Sequence, residues 1–106
     1  MRIPEIPFDV YNSFYAPLQE YLAQIADAAP QFVRKSSIGT TPGGRDLTLM
    51  TVTDLSAGLP EDKPALLIFA NMHCHELSGP IAVLRSIKNL VENDQDLLKS
   101  RTFYFL

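Results

Sequence analysis

Apolar residues recur along the chain with two different periods, and the changes of period mark its elements. Tyr15, Leu18, Leu22 and Ile25 return at three- and four-residue spacing, which is one face of a helix predicted over about 14–28. Pro17 is tolerated only in the first turn and Pro30 cannot continue the helix, so both ends are marked. Residues 1 to about 13 read as an extended lead-in, because Pro4 and Pro7 bias their predecessors away from helix. From Phe32 onward the period shortens. Phe32 to Thr40 and Asp46 to Asp54 are β-prone runs flanking Thr41-Pro42-Gly43-Gly44-Arg45, a hairpin in which glycine supplies positive φ. In the second run Leu47, Leu49 and Thr51 point one way and Thr48, Met50 and Val52 the other. Neither set is clearly polar, so this strand is expected inside a sheet.

A stretch rich in turn formers, Ser56 to Pro64, leads to the continuous apolar run Ala65-Leu66-Leu67-Ile68-Phe69-Ala70. A short apolar run bounded by turn signals reads as a strand covered on both faces. A second helix is predicted from about Ser78 to Asn93, with Ile81, Leu84, Ile87 and Val91 on one stripe. Asp94-Gln95-Asp96 breaks it, and Leu97-Leu98-Lys99 adds one further turn. The last residues, Thr102 to Leu106, form a strongly β-prone strand. Following a helix and parallel to the strand before it, such a segment is a central strand of an α/β sheet. It is expected to continue into a longer chain.

Composition narrows the function classes. At 106 residues there is room for one domain with a core of modest size. A net charge of −3 gives no basic footprint for nucleic acid. No apolar run approaches the roughly 18 residues that a transmembrane helix needs, so no membrane partner is expected. An acid and two prolines occupy the N-terminal stretch where a signal peptide would carry an apolar segment, so the chain as written is expected in the cytoplasm. A single cysteine, Cys74, forms no internal disulfide.

The candidate chemistry is concentrated in Asn71-Met72-His73-Cys74-His75-Glu76, which holds both histidines and the only cysteine. An imidazole and a carboxylate in His-x-x-Glu spacing just beyond a strand can converge on one cation, as the first two ligands of a catalytic zinc do. The position suits that reading, because open α/β sheets bind ligands at the carboxyl ends of their strands. His73 and His75 are a competing pair, since His-x-His on an extended strand points both rings to one side. Amidohydrolase barrels use such a pair, but no barrel-like repeat is visible here. A histidine bonded to backbone is the plain structural alternative. Cys74 as a nucleophile would need a base and an orienting group, which sequence neighbours do not supply. Arg45 and Asp46 read as a solvated hairpin flank, or as a pin to buried carboxylates.

The order of these features resembles the N-terminal part of an M14-family zinc carboxypeptidase. The resemblance runs from Tyr11 and Phe14 through a helix ending in Ala-Pro and a strand ending Ile38-Gly39. It continues with Gly44-Arg45-Asp46-Leu47, an apolar strand, Asn71-x-His73-x-x-Glu76, a Pro-started helix and the terminal strand Arg101 to Leu106. It implies a three-layer α/β fold around a mixed β-sheet, with residues 14–106 as the N-terminal portion of one catalytic domain. It implies zinc as cofactor, His73 and Glu76 as its first two ligands, and peptide C-termini as substrate. A third ligand, the general base and the carboxylate-clamping arginines come later in the family and have no counterpart in these residues, so the 106 residues alone are expected to be inactive. Where the family commonly has a substrate-contacting arginine, this chain has His75. A zinc-dependent acyl-amino-acid deacylase of aspartoacylase type shares the His-x-x-Glu start, and a non-catalytic α/β binding module with structural histidines is the alternative from another class.

Overall fold

The computed structural model describes residues 2–6, 15–70 and 78–106. They form helix α1 (Tyr15–Ala28), strands β1 (Val33–Thr40) and β2 (Asp46–Val52), and a 3-10 turn at Pro60–Asp62. Strand β3 (Ala65–Ile68), helices α2 (Ser78–Asn93) and α3 (Gln95–Leu98) and strand β4 (Thr102–Phe105) follow. The strands make one mixed four-stranded sheet in the order β1-β2-β4-β3. No helix of the described residues is long and apolar enough to cross a membrane.

β1 and β2 are the expected hairpin. Thr41 closes its turn: its N–H donates to the Arg45 carbonyl (2.8 Å), and its carbonyl accepts from the Gly44 N–H (2.9 Å). Gly44 sits at φ +85°, where a side chain would be strained, so glycine is needed at that one position. β4 pairs antiparallel with β2, Met50 opposite Phe105 and Val52 opposite Phe103. It pairs parallel with β3, Leu66 beside Phe103 and Ile68 beside Phe105. The central placement expected for the last strand, and the interior placement expected for β2, are both observed.

Cross-strand partners share a face, so Met50, Val52, Phe103 and Phe105 lie on one side of the sheet. The stacked rings of Phe103 and Phe105, 6.4 Å apart, reinforce that face. Leu22 and Ile25 of α1 and Leu84, Ile87 and Val91 of α2 are buried in the same core. Both long helices therefore cover one face, and the described residues supply the sheet and one helical layer of the α/β fold. The α1 stripe rotates slightly from the predicted one. Tyr21 is buried (1% exposed) while Tyr15 lies half-buried at the rim. Burial pushes the Tyr21 phenol pKa up, and its hydroxyl donates to the Pro4 carbonyl at 2.6 Å.

The far end of the sheet is tied by a lysine. Lys63 Nζ donates to Thr53 Oγ1 (2.8 Å), the Asp54 carbonyl (2.8 Å) and the Leu98 carbonyl (3.2 Å). Thr53, fully buried, has its hydroxyl against the Leu98 and Arg101 carbonyls at 3.0 and 2.9 Å. Next to it, a hydrogen bond from Ser56 Oγ (2.6 Å) holds the Asp54 carboxyl below the usual carboxylate range. One ammonium thus joins the end of β2, the approach to β3, and α3.

β3 departs from its sequence reading. The run reads as doubly covered, yet Leu66 is 53% exposed, Leu67 49% and Phe69 59%. The reason is its position at the edge of the described sheet, where β4 is its one described neighbour, while α1 and α2 pack over β2 and β4.

Two outcomes follow. Lys63→Met removes three charge-assisted hydrogen bonds and should lower the unfolding free energy by about 2 kcal/mol, read as a lower urea midpoint with unchanged slope. Lys63→Arg should not restore it, because a planar guanidinium cannot direct its donors at three converging oxygens as an ammonium does. Leu67→Lys places a charge on the edge strand of the described sheet. Because Leu67 is already half exposed, it should change the unfolding free energy by less than about 0.5 kcal/mol in urea titration and leave the far-ultraviolet circular dichroism unchanged.

Candidate metal centre

His73, His75 and Glu76, with Asn71 and Cys74, lie outside the described residues. What the structure does describe is where their segment starts and stops. Pairing with β4 carries the β3 strand to its last residue before the segment. The Leu106 N–H donates to the Ile68 carbonyl and the Ala70 N–H to the Leu106 carbonyl, each at 3.0 Å. β3 and β4 run parallel, so their carboxyl ends emerge together at this point. Residues 71–77 leave from those ends and lead into α2, whose first turn contains Pro80. Proline there is stable, because its missing N–H and fixed φ suit a helix start.

A cavity of about 360 Å³ lies between α1 and α2, and Ala70, Pro80 and Leu106 are all in its wall. Leu18, Leu22, Val83 and Phe105 make its lining largely apolar. The polar groups at its rim are engaged with one another. Thr48 Oγ1 donates to Gln19 Oε1 at 3.0 Å, and the Asp46 N–H donates to the Tyr15 hydroxyl at 2.9 Å. The Arg45 guanidinium lies 4.5 Å from the Tyr15 ring centre, a cation–π contact that fastens the hairpin to α1. Arg45 is thus a pin, as one of its two readings has it, but an aromatic ring rather than a buried carboxylate receives it. No sequence signal reveals this contact or the cavity, since Tyr15 and Arg45 are 30 positions apart and meet only through tertiary packing.

Among the described residues no group of three or more His, Cys, Asp or Glu side chains could hold a metal. The fit to zinc rests on donor chemistry. An imidazole (His73) and a carboxylate (Glu76) are both zinc donors, but a catalytic site ordinarily uses about three protein ligands. The residues fit as part of a set and need a further donor.

Comparison with known proteins agrees with this fold. A family model described as zinc carboxypeptidase, peptidase family M14, matches residues 18–106, including the whole 71–77 segment. A zinc carboxypeptidase from Saccharothrix mutabilis subsp. capreolus is 33% identical over 82 residues, which are 77% of this chain and 18% of that protein. The carboxypeptidase A structure from Helicoverpa armigera superposes with a TM-score of 0.76 at 23% identity, over 87% of this chain and 23% of that one. Bovine thrombin-activatable fibrinolysis inhibitor, solved with a tick carboxypeptidase inhibitor, gives a TM-score of 0.72 at 21% identity, over 86% of this chain and 28% of that one. These structures share the fold, and the chain spans under a third of the length of each relative described. The chain belongs to the zinc carboxypeptidase family, M14.

Proposed function

We propose that the chain is the N-terminal portion, residues 14–106 with a short lead-in, of the catalytic domain of a zinc metallocarboxypeptidase that removes residues from peptide C-termini. The observation that carries this reading is the family match running through 71–77, the segment that holds both histidines and leaves from the carboxyl ends of the parallel pair β3 and β4. His73 and Glu76 are the first two zinc ligands, and His75 contacts substrate. When bound, zinc polarises a carbonyl and brings the pKa of water toward neutrality. The role of this chain's residues is to supply two donors from the short segment that joins Ala70 to the start of α2. Two donors are short of the usual three, so the third donor and the general base come from elsewhere in the full-length protein, and these 106 residues alone do not turn over substrate.

The full-length protein should purify with stoichiometric zinc. His73→Ala and Glu76→Gln should each weaken zinc binding by more than the roughly 10–100-fold that loss of an outer-shell partner brings, measured by competition with a chromogenic chelator. A full-length protein without stoichiometric zinc would indicate a binding module with structural histidines. Turnover of a blocked dipeptide by the 106-residue chain alone, lost on His73→Ala, would contradict the division of the site proposed above.

A further inference from the structure

The lead-in is more than a connector. Ile3 is 1% exposed and belongs to the same core as α1 and α2. Its N–H donates to Glu92 Oε2 at 2.6 Å, and its carbonyl accepts from Lys88 Nζ at 3.0 Å, so both backbone groups are held by α2. The next carbonyl, of Pro4, accepts from the Tyr21 hydroxyl of α1. Glu5 then forms an ion pair with Lys88 at 3.2 Å. Ile3, Pro4 and Glu5 therefore reach both helices, and the described polar contacts to α2 are made to Lys88 and Glu92. These two are joined to each other at 3.1 Å, one helical turn apart. The helices that the segment ties are the ones facing each other across the 360 Å³ cavity, whose wall carries Leu22 of α1 and Leu84 and Ile87 of α2.

We infer that residues 2–6 are a latch that closes α1 onto α2, locked by the Lys88–Glu92 pair, and that it opens as a unit while the sheet stays formed. The contacts give the reason. The sheet is held by strand ladders and the Lys63 cluster at the far end, and neither involves the latch. The described latch contacts are the side chains of Ile3 and Ile6, the Tyr21–Pro4 hydrogen bond and the charged groups of Lys88, Glu92 and Glu5, a small set beside the strand ladders, which places the latch among the elements that open at low free energy.

Glu92 is the group on which the lock turns. The Ile3 N–H, together with Lys88, holds its carboxyl below the usual range. The hydrogen bond to Glu92 holds the Lys88 ammonium protonated above its ordinary range. The other charged or titratable groups around the pair are Arg2 and Glu5 on the latch, Arg85 on α2 and Tyr21 on α1. With the native carboxyl pKa depressed, Glu92's contribution is complete above the ordinary carboxylate range and is lost as pH falls through the native value. The latch is thus shut at neutral pH and loosens in acid.

Amide hydrogen exchange tests this on the full chain. In Glu92→Gln the Ile3 amide should lose at least tenfold in protection. The Thr53 and Asp54 amides, bonded to the Phe32 and Leu98 carbonyls, should keep theirs. Unchanged protection at Ile3, or an equal loss at all three amides, would overturn the latch. A second measurement needs no variant. In wild-type protein at low urea, Ile3 exchange should depend on urea far less steeply than Thr53 exchange. Equal steepness would mean that Ile3 is released only by global unfolding, and would exclude the latch on its own.

Discussion

The fold depends on one insertion: β4, last in the sequence, lies between β2 and β3. With β4 in place, the β1–β2 hairpin gains a third strand and β3 gains its described ladder partner. The two unions differ in kind. β4 meets β2 antiparallel and β3 parallel, and the parallel union requires the crossover through α2 that sets the helix on the sheet. Burying Phe105 (2% exposed) against Met50 (2% exposed) is therefore the contact through which the hairpin and both long helices share one core. It is also a contact of high sequence separation, so loop closure must be met before that burial contributes.

Around this strand the polar interactions divide by end. At the amino ends of β3 and β4, Lys63, Thr53 and Thr102 satisfy backbone carbonyls with side-chain donors, Thr102 Oγ1 reaching the Pro60 carbonyl at 2.9 Å. Every donor there has an internal acceptor, which is what stability requires of a buried polar cluster. At the carboxyl ends the described walls are apolar, and the chain leaves the sheet into the only stretch that contains histidine. Parallel strands have distinct ends where those of a hairpin are alike, and open α/β sheets in general bind ligands at the carboxyl ends, the end from which the chain continues toward His73.

Much of this was legible in the residues, for identifiable reasons. The helices were readable because Leu22, Ile25, Leu84, Ile87 and Val91 keep helical spacing and all are buried. The hairpin was readable because Gly43-Gly44 sits between two β-prone runs. The order of weak motifs pointed to the family that the comparisons show. What escaped was tertiary. Tyr21 replaces Tyr15 as the buried ring because a proline carbonyl from the lead-in meets its hydroxyl, and Pro4 and Tyr21 share no local pattern. The lead-in read as extended, and prolines that mark extended chain say nothing of whether Ile3, just before Pro4, is buried. Lys63 lies among turn formers, and nothing in Glu61-Asp62-Lys63-Pro64 announces that its ammonium reaches Leu98. The zinc donors proposed, His73 and Glu76, form a motif in the sequence and lie outside the described residues.

The two edges of the sheet carry the remaining step. β1 is blunted as free edges usually are: Arg34 and Lys35 put charge along it, and its register shifts between Ser37 and Thr40. β3 has neither device. Ala65 to Ala70 contains no charge, proline or bulge, and Leu66 and Leu67, which alternation sends to opposite faces, are both about half exposed. An edge with apolar residues on both faces is costly in water and invites pairing, so the two edges of the described sheet differ in how they meet solvent. Among the described residues β4 is the one strand that pairs with β3, so the apolar side chains of Leu66 and Leu67 meet solvent where the opposite edge presents Arg34 and Lys35.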